Sequence, residues 1–373
     1  MLETHQQETN SAFESLVADL NAAALKVIPL GIDRAALNFD ENTKRMQAFV
    51  SRLTVAERTG NVEPKLNPFC YYVRGLSNVT TYQYELAIDD LETAARKARE
   101  DIASTRLDHY PSDKRENLPL LLANLLTSCT YFQGVCYKNL GQYPSARGKF
   151  VEALDRNQGH WESRNYLLQC MFFDDSIPFA TVEGEFRNAS ERLKGDLQSV
   201  NQERRETLRR AGYILKLNQG DLYYKSPLPQ EFRSAYLRYV NPEKAAQCYW
   251  EAFDYVKNEM AHFCLAQALE QVGSSLSRST TYQKEYAEAF NGLKTRVAGD
   301  FDKLYSVTLY YMLAICASKL SEHRSTSEVF LAQARHGLKE LPTQVTCFSP
   351  ISRIRLTRLQ ILNEMEQFEK AFL

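Results

Sequence analysis

The chain is poor in the residues that punctuate β structure and lacks the motifs of the common catalytic frameworks. Its 373 residues include only 15 Gly and 12 Pro, which suits long helices better than many tight turns. Tryptophan occurs twice. Charge of one sign is also missing: the formal net charge is −1, so no global field draws the protein to nucleic acid or to an acidic surface. The longest apolar run, Leu118 to Leu126, is too short to cross a bilayer. The opening stretch MLETHQQETN has no basic segment followed by an apolar one, so no signal peptide is evident. These absences lead to the expectation of an intracellular, reducing, cytoplasmic protein with no membrane partner.

Chemistry-bearing motifs are missing as well. The sequence contains no GxxxxGK[ST] phosphate loop, no GxGxxG after a strand, no HExxH and no GxSxG. The 6 histidines, at 5, 109, 160, 262, 323 and 336, form no pair at metal-ligand spacing on one helix. The 8 cysteines include no CxxC pair. Cys129 and Cys136 are a heptad apart and nearly share a helix face, which favours buried thiols over a metal site. His160 beside Trp161 reads as a helix-start residue, and the adjacent Asp174 and Asp175 read as caps or solvated turn residues. No catalytic residue, cofactor or metal is therefore expected, and the protein is read as a non-enzyme.

Helical periodicity is what the chain does have. Residues 10–29 place Phe13, Leu16, Leu20 and Ala24 at three-to-four spacing. A second helix is expected over 41–58, ended by Gly60 to Pro64. No alternating strand of useful length is found, so the class is all-α. The clearest stretch is Tyr131 to Asn157. There Gly134, Ala146 and Ala153 let two helix backbones approach, while Tyr137, Tyr143 and Phe150 fill the space between them. Leu140-Gly141 ends the first helix, with Gly supplying a left-handed cap. Counted from Gly134, the residues Tyr143, Ala146, Phe150 and Ala153 lie at offsets 9, 12, 16 and 19. Counted from Gly75, Tyr84, Ala87, Leu91 and Ala94 occupy the same offsets. The earlier unit carries Tyr82 where the later has Gly141, so its turn is expected to be built differently.

These paired signatures resemble the tetratricopeptide repeat, a helix–turn–helix unit that buries its apolar face only by stacking on neighbours. The anchors lie 59 residues apart instead of one repeat length, a departure absorbed by a long second helix near 85–105 and a polar loop at 107–117. The resemblance implies an all-α, tetratricopeptide-like superhelix with irregular, lengthened helices. Three regions are expected: an N-terminal helical segment at 1–66, repeats at 67–224, and fainter repeats at 225–373 beyond the Lys225–Gln230 connector. Residues 159–173 should form a helix anchored by Trp161, Tyr166, Leu167 and Met171. The charged stretch 180–217 reads as one bent helix or two, weakened at Gly195 and Gly212. Asn241-Pro242 should start a helix, with Ala245, Tyr249 and Ala252 on its buried side. Further helices are expected near 259–273, 280–297, 301–320 and 325–339. At the end, Phe368 and Ala371 fall where a repeat's Tyr and second-helix Ala belong, which reads as a cap or as the front part of a longer protein.

The resemblance implies a groove formed by first helices that takes a segment of a partner protein. The corresponding positions are Phe69, Tyr72, Val73 and Leu76, then Ser128, Tyr131, Phe132 and Val135, with Lys138 and Asn139 at the edge. Phe69, Tyr72, Leu76, Tyr131, Val135, Lys138 and Asn139 are the candidate partner-binding residues. The basic and amide clamp of chaperone-binding relatives is not present, so an apolar partner helix, or a segment of this chain itself, is the expected occupant. Packing against neighbouring helices is the competing reading. Arg204, Arg205, Arg209 and Arg210 form a second candidate site, for phosphates or an acidic partner, and Arg353, Arg355 and Arg358 form a third cluster. Nucleic-acid binding through these arginines, or a regulatory role in a larger enzyme, are the alternatives to a scaffold or adaptor.

Overall fold

A computed structural model describes residues 15–21, 23–24, 39–59, 66–104, 110, 116–224, 239–273, 281–297, 303–320, 323–353 and 355–373. The described chain is all-α apart from two strands of three residues each. It divides into two compact units, one of Met1–Lys138 with Gly148–His160, the other of Asn139–Arg147 with Trp161–Leu373. The Lys225–Gln230 connector, most of the polar loop at 107–117 and the break at 60–64 lie outside the described residues.

In the first unit, α1 (residues 15–21) buries Val17 and Leu20, followed by α2 (Phe39–Thr59), α3 (Pro68–Thr80), α4 (Tyr84–Ser104) and α5 (Leu118–Asn139). Asn67 starts α3: its side chain accepts from the amides of Phe69 and Cys70, and Pro68 holds the first helical position. That device satisfies two of the amide donors that a helix start leaves open. The Asn67 backbone amide in turn donates to the Asn21 side chain at 2.8 Å, joining α3 to α1. Arg74 bridges Glu57 of α2 and Asp90 of α4 at 2.5 and 2.7 Å, so one guanidinium fastens three helices.

The two repeat-like hairpins pack as their spacing implies. Leu91 and Phe150, equivalent by offset, press on Gly75 and Gly134. A Cβ on Gly75 would lie 2.9 Å from Leu91 Cγ, and one on Gly134 would lie 2.7 Å from the Phe150 ring. Both contacts are closer than a methyl group tolerates, so each glycine is what lets the helices approach. Ala87, Ala94, Ala146 and Ala153 are all fully buried. Gly141 adopts φ +75° as expected of a left-handed cap. The expectation of a different turn at Tyr82 is corrected: Tyr82 itself takes φ +63°. The same backbone turn is thus made without glycine, at a cost of about 1–2 kcal/mol. Tyr82 is nearly buried, edge-on to Tyr84 at 6.3 Å, and its packing offsets that strain.

α6 (Tyr143–Arg156) begins in the second unit and ends in the first. The rest of the second unit comprises α7 (Trp161–Phe173), α8 (Phe179–Ser199), α9 (Gln202–Tyr223), α10 (Pro242–Ala252), α11 (Glu259–Val272), α12 (Tyr282–Val297), α13 (Lys303–Lys319), α14 (Arg324–Lys339), β1 (Thr346–Phe348), β2 (Arg355–Thr357) and α15 (Arg358–Phe372). From α8 to α15 each helix packs chiefly on its sequence neighbour, and α9 also meets α7. The charged stretch is two helices. They break at Val200–Asn201, where the Asn201 side chain caps α9, and not at Gly195 or Gly212. Asn241 caps α10 with Pro242 behind it, and Ala245, Tyr249 and Ala252 are buried as expected. In α7 the buried face runs through Trp161, Leu168, Cys170 and Phe172, whereas Tyr166, Leu167 and Met171 are only half-buried.

Ion pairs tie one helix to the next through the second unit. Lys216 of α9 meets Glu251 of α10 at 2.8 Å, Arg296 of α12 meets Glu259 of α11 at 2.5 Å, and Arg335 of α14 meets Glu369 of α15 at 2.8 Å. α15 runs unbroken from Arg358 through Phe368 and Ala371, so the turn that the repeat register places before Phe368 is not made there. The helix α5 is long and apolar enough by length and composition to cross a membrane, but 67% of its apolar window is buried within the protein.

Candidate functional site

The residues expected to line a groove are enclosed. Phe69, Tyr72 and Val135 are fully buried, Tyr131 is 3% exposed and Leu76 7%. Phe69 meets Tyr110 edge-on at 6.3 Å, and Tyr72 meets Phe132 likewise. Tyr131 is surrounded by Phe132, Phe150 and His160, with centroids 4.9, 6.1 and 5.0 Å away. Burial raises the Tyr72 hydroxyl well above its ordinary ionisation range. Lys138 and Asn139 are buried too. All seven side chains are buried within this chain, in keeping with the reading of packing against neighbouring helices that competes with a partner groove. Cys129 and Cys136 are both fully buried, and all 8 cysteines are buried thiols.

The arginines of α9 have the opposite placement. Arg204, Arg205, Arg209 and Arg210 are exposed. Arg209 donates to the Tyr255 carbonyl at 3.0 Å, and Arg210 lies 3.7 Å from Glu206 one turn away. The first two occupy the first turn of α9, where the helix dipole disfavours cations. The C-terminal cluster does not form a basic surface. Arg358 donates to the carbonyls of Lys339 and Leu341, Arg355 donates to Thr346, and Arg353 is only 2% exposed.

Arg353 is the centre of the most organised polar site in the second unit. β1 and β2 pair antiparallel, with Cys347 opposite Leu356, and residues 349–353 follow β1 as a loop. Ser349 shapes that loop. Its hydroxyl accepts from the amides of Ile351 and Ser352 at 3.1 and 3.0 Å and donates to Glu364 of α15 at 2.5 Å. Burial raises the Glu364 carboxyl above its ordinary value of 4.5, opposed by hydrogen bonds from Ser349, Ser352 and Tyr311. Arg353 follows with φ +58°, a left-handed conformation. Its guanidinium enters a cage built by three other helices. It donates to Gln267 Oε1 at 2.5 Å and to Cys264 Sγ at 3.0 Å, both on α11, and lies 3.8 Å from Asp221 at the end of α9. The rings of Tyr224, Phe263 and Tyr249 face it, with centroids 5.2, 5.2 and 5.8 Å away, all within cation–π range. At the other end of the hairpin, the Thr346 hydroxyl donates to the Asn139 carbonyl at 2.7 Å.

The chemistry available in the cage is recognition of a cation. Burial pushes the Cys264 thiol up to about 12, with the Arg353 charge opposing that rise; it is protonated at neutral pH and not a thiolate nucleophile. Elsewhere His262 Nδ1 lies 2.6 Å from the buried Glu285 with its ring against Phe253, a tie between α11 and α12. Among the described residues no group of three or more His, Cys, Asp and Glu is arranged to hold a metal ion. A shallow, mostly apolar cavity of about 580 Å³ opens between Val307 and Tyr310 of α13 and Val329, Ala332, His336 and Gly337 of α14. Asp174 accepts from Ser176 at the end of α7 and pairs with Arg147 at 3.2 Å, a turn residue in both contacts.

In sequence, Arg353 groups with its neighbours Arg355 and Arg358, and nothing local marks it as buried. Asp221, Tyr224, Phe263 and Gln267 carry no spacing signal, because the cage joins residues 221 and 353 only through folding. The chain matches no protein-family model and shows no significant similarity to a curated protein.

Proposed function

We propose that the chain is a non-catalytic protein-interaction scaffold or adaptor of the tetratricopeptide-like kind, a superhelix of helical hairpins that holds a segment of a partner protein. The observation carrying this reading is the agreement of two hairpins at the glycine contact: Gly75 beneath Leu91 and Gly134 beneath Phe150, at identical offsets. Sequence-neighbour packing from α8 to α15 supports it, since such a chain gains stability locally and leaves long helix faces for binding. Eight buried thiols suit a reducing compartment. With the aromatic residues of α3 and α5 buried, a partner would meet exposed surface instead, either the α13–α14 cavity with Val329 at its edge or the arginines of α9.

Crosslinking mass spectrometry on the purified chain, with and without Val329→Asp and with Arg205→Glu plus Arg209→Glu, tests this reading. A partner held by the wild type and lost by one variant, with helical content unchanged, supports the scaffold. A hydrolytic or transferase activity that co-purifies with the chain and is removed by a point substitution would overturn it. The four exposed arginines favour one second reading, RNA binding. A gel shift whose apparent affinity falls steeply with added salt supports that reading, and absence of a shift at low salt excludes it.

A further inference from the structure

We propose that the cage of Asp221, Tyr224, Tyr249, Phe263 and Gln267 is a recognition site for an arginine side chain on a peptide segment, and that Arg353 occupies it in cis. The inference rests on the scaffold reading for its partner, an arginine-bearing segment of another protein, but not for the site itself. Two sets of observations carry it.

The receiving half is assembled without help from the hairpin. Tyr249 donates its hydroxyl to Asp221 Oδ1 at 2.7 Å, which orients the carboxylate. Gly220 leaves room for that tyrosine: a Cβ there would stand 2.3 Å from Tyr249 Cε1. The remaining walls come from α11 and from the residue that caps α9. One carboxylate, one amide and three aromatic faces form a combination selective for a planar cation. With the hairpin withdrawn, the cage would lose the guanidinium that offsets the Asp221 charge, which favours entry of another cation.

The occupying half fits with visible compromise. Arg353 takes a left-handed backbone, its Nε is buried with no hydrogen-bond acceptor, and its carboxylate partner stands 3.8 Å away. A clasp that served stability alone would need no arginine, because a well-packed apolar side chain replaces a buried ion pair at little or no cost. The hairpin is tied down by two strands of three residues each. Its lateral support combines side-chain bonds, Ser349 to Glu364, Thr346 to Asn139 and Thr308 to the Phe348 carbonyl, with burial of Cys347, Ile351 and Leu356. A segment carrying an arginine in a similar turn therefore competes with it for one cage.

The test uses the full chain with Arg353→Ala and methylguanidinium as the probe. Methylguanidinium at millimolar concentration should raise the melting temperature of this variant by several degrees more than that of the wild type, and methylammonium should not. Equal shifts in the two proteins would overturn the proposal. Should R353A fail to fold, the wild type decides. A synthetic peptide of residues 345–357 carrying Cys347→Ser is added in excess, and thiol labelling is read by mass spectrometry. Cys347 and Cys264 are both buried at the outset. Displacement should expose Cys347 while Cys264 stays covered by the incoming arginine, and the same peptide with Arg353→Ala should do nothing. Unchanged labelling of Cys347, or equal exposure of both thiols, would contradict the proposal. Methylguanidinium rescue without any crosslinked partner would leave the cage standing and count against the scaffold reading; a partner held at α13–α14 or α9 with no rescue would do the reverse.

Discussion

Replacing Gly134 by Ala places a methyl group 2.7 to 2.9 Å from three carbons of the Phe150 ring. Phe150 is fully buried and hemmed in by Tyr131 at a 6.1 Å centroid distance, so the ring has no free direction of retreat. Overpacking of this kind typically costs about 1–3 kcal/mol. Alanine returns roughly 0.8–1 kcal/mol through its better helix propensity, which leaves a net loss of up to about 2 kcal/mol. The control is in the same helix pair: nothing lies within 4 Å of a Cβ at Gly148, and that position on α6 is not buried. Gly148→Ala should therefore stabilise by up to about 1 kcal/mol. Two chemically identical substitutions should then differ by about 1–3 kcal/mol, the overpacking cost itself, because the propensity gain is common to both. Urea unfolding followed by far-ultraviolet circular dichroism gives the comparison, and hydrogen exchange of the α5 and α6 amides localises it. Phe150→Leu, which copies the Leu91 that faces Gly75, should recover part of the loss when combined with Gly134→Ala. If G134A proves as stable as G148A, the close approach of the two helices is wrong.

Tyr72→Ala with Tyr131→Ala removes two buried rings, each worth about 3–5 kcal/mol by analogy with other aromatic truncations. The sum is comparable to the whole stability of a typical domain, so the double variant should lose helical signal at ambient temperature; a melting curve like the wild type's would return both residues to a binding surface. Glu364→Gln should change how stability depends on pH. Because burial raises the folded carboxyl above its unfolded value, its contribution is full below about 4.5 and is lost as pH rises through the raised folded value. Wild type should therefore lose stability relative to E364Q as pH increases across that window, read as a difference between the two proteins to cancel the other carboxylates. A flat difference from acid to neutral pH would show that Glu364 is not buried against the hairpin.

Much of the helical framework is legible because its signals are local. Asn241-Pro242 and Gly141 announce a start and a stop, and both behave in the structure as their chemistry implies. The heptad spacing of Cys129 and Cys136 likewise gives buried thiols. Further local signals are present at two more helix starts. Asn67-Pro68 repeats the Asn241-Pro242 device, and Thr357 with Gln360 forms a capping box that starts α15. Tyr82 shows why a missing glycine is weak evidence against a left-handed turn: burial of a large side chain can offset the strain. The candidate groove residues show a different limit. Spacing reports which residues share a helix face but not what covers that face, and Tyr131 is covered by Phe132, Phe150 and His160. The hairpin lies beyond sequence reasoning altogether. Strands of three residues show no alternation, and the partners of Arg353 lie 86, 89 and 132 residues away in the chain, at Gln267, Cys264 and Asp221.

The most direct measurement on the cage is a double-mutant cycle between Arg353→Met and Asp221→Asn, read by equilibrium unfolding of the full chain. Removing one member of a buried pair strands the other, at a cost of about 3–5 kcal/mol, whereas removing both strands neither. The expected result is a double variant less destabilised than the sum of the single variants, by about 2 kcal/mol or more. Strict additivity would contradict it, placing Arg353 outside the cage and the hairpin tip away from α9, α10 and α11.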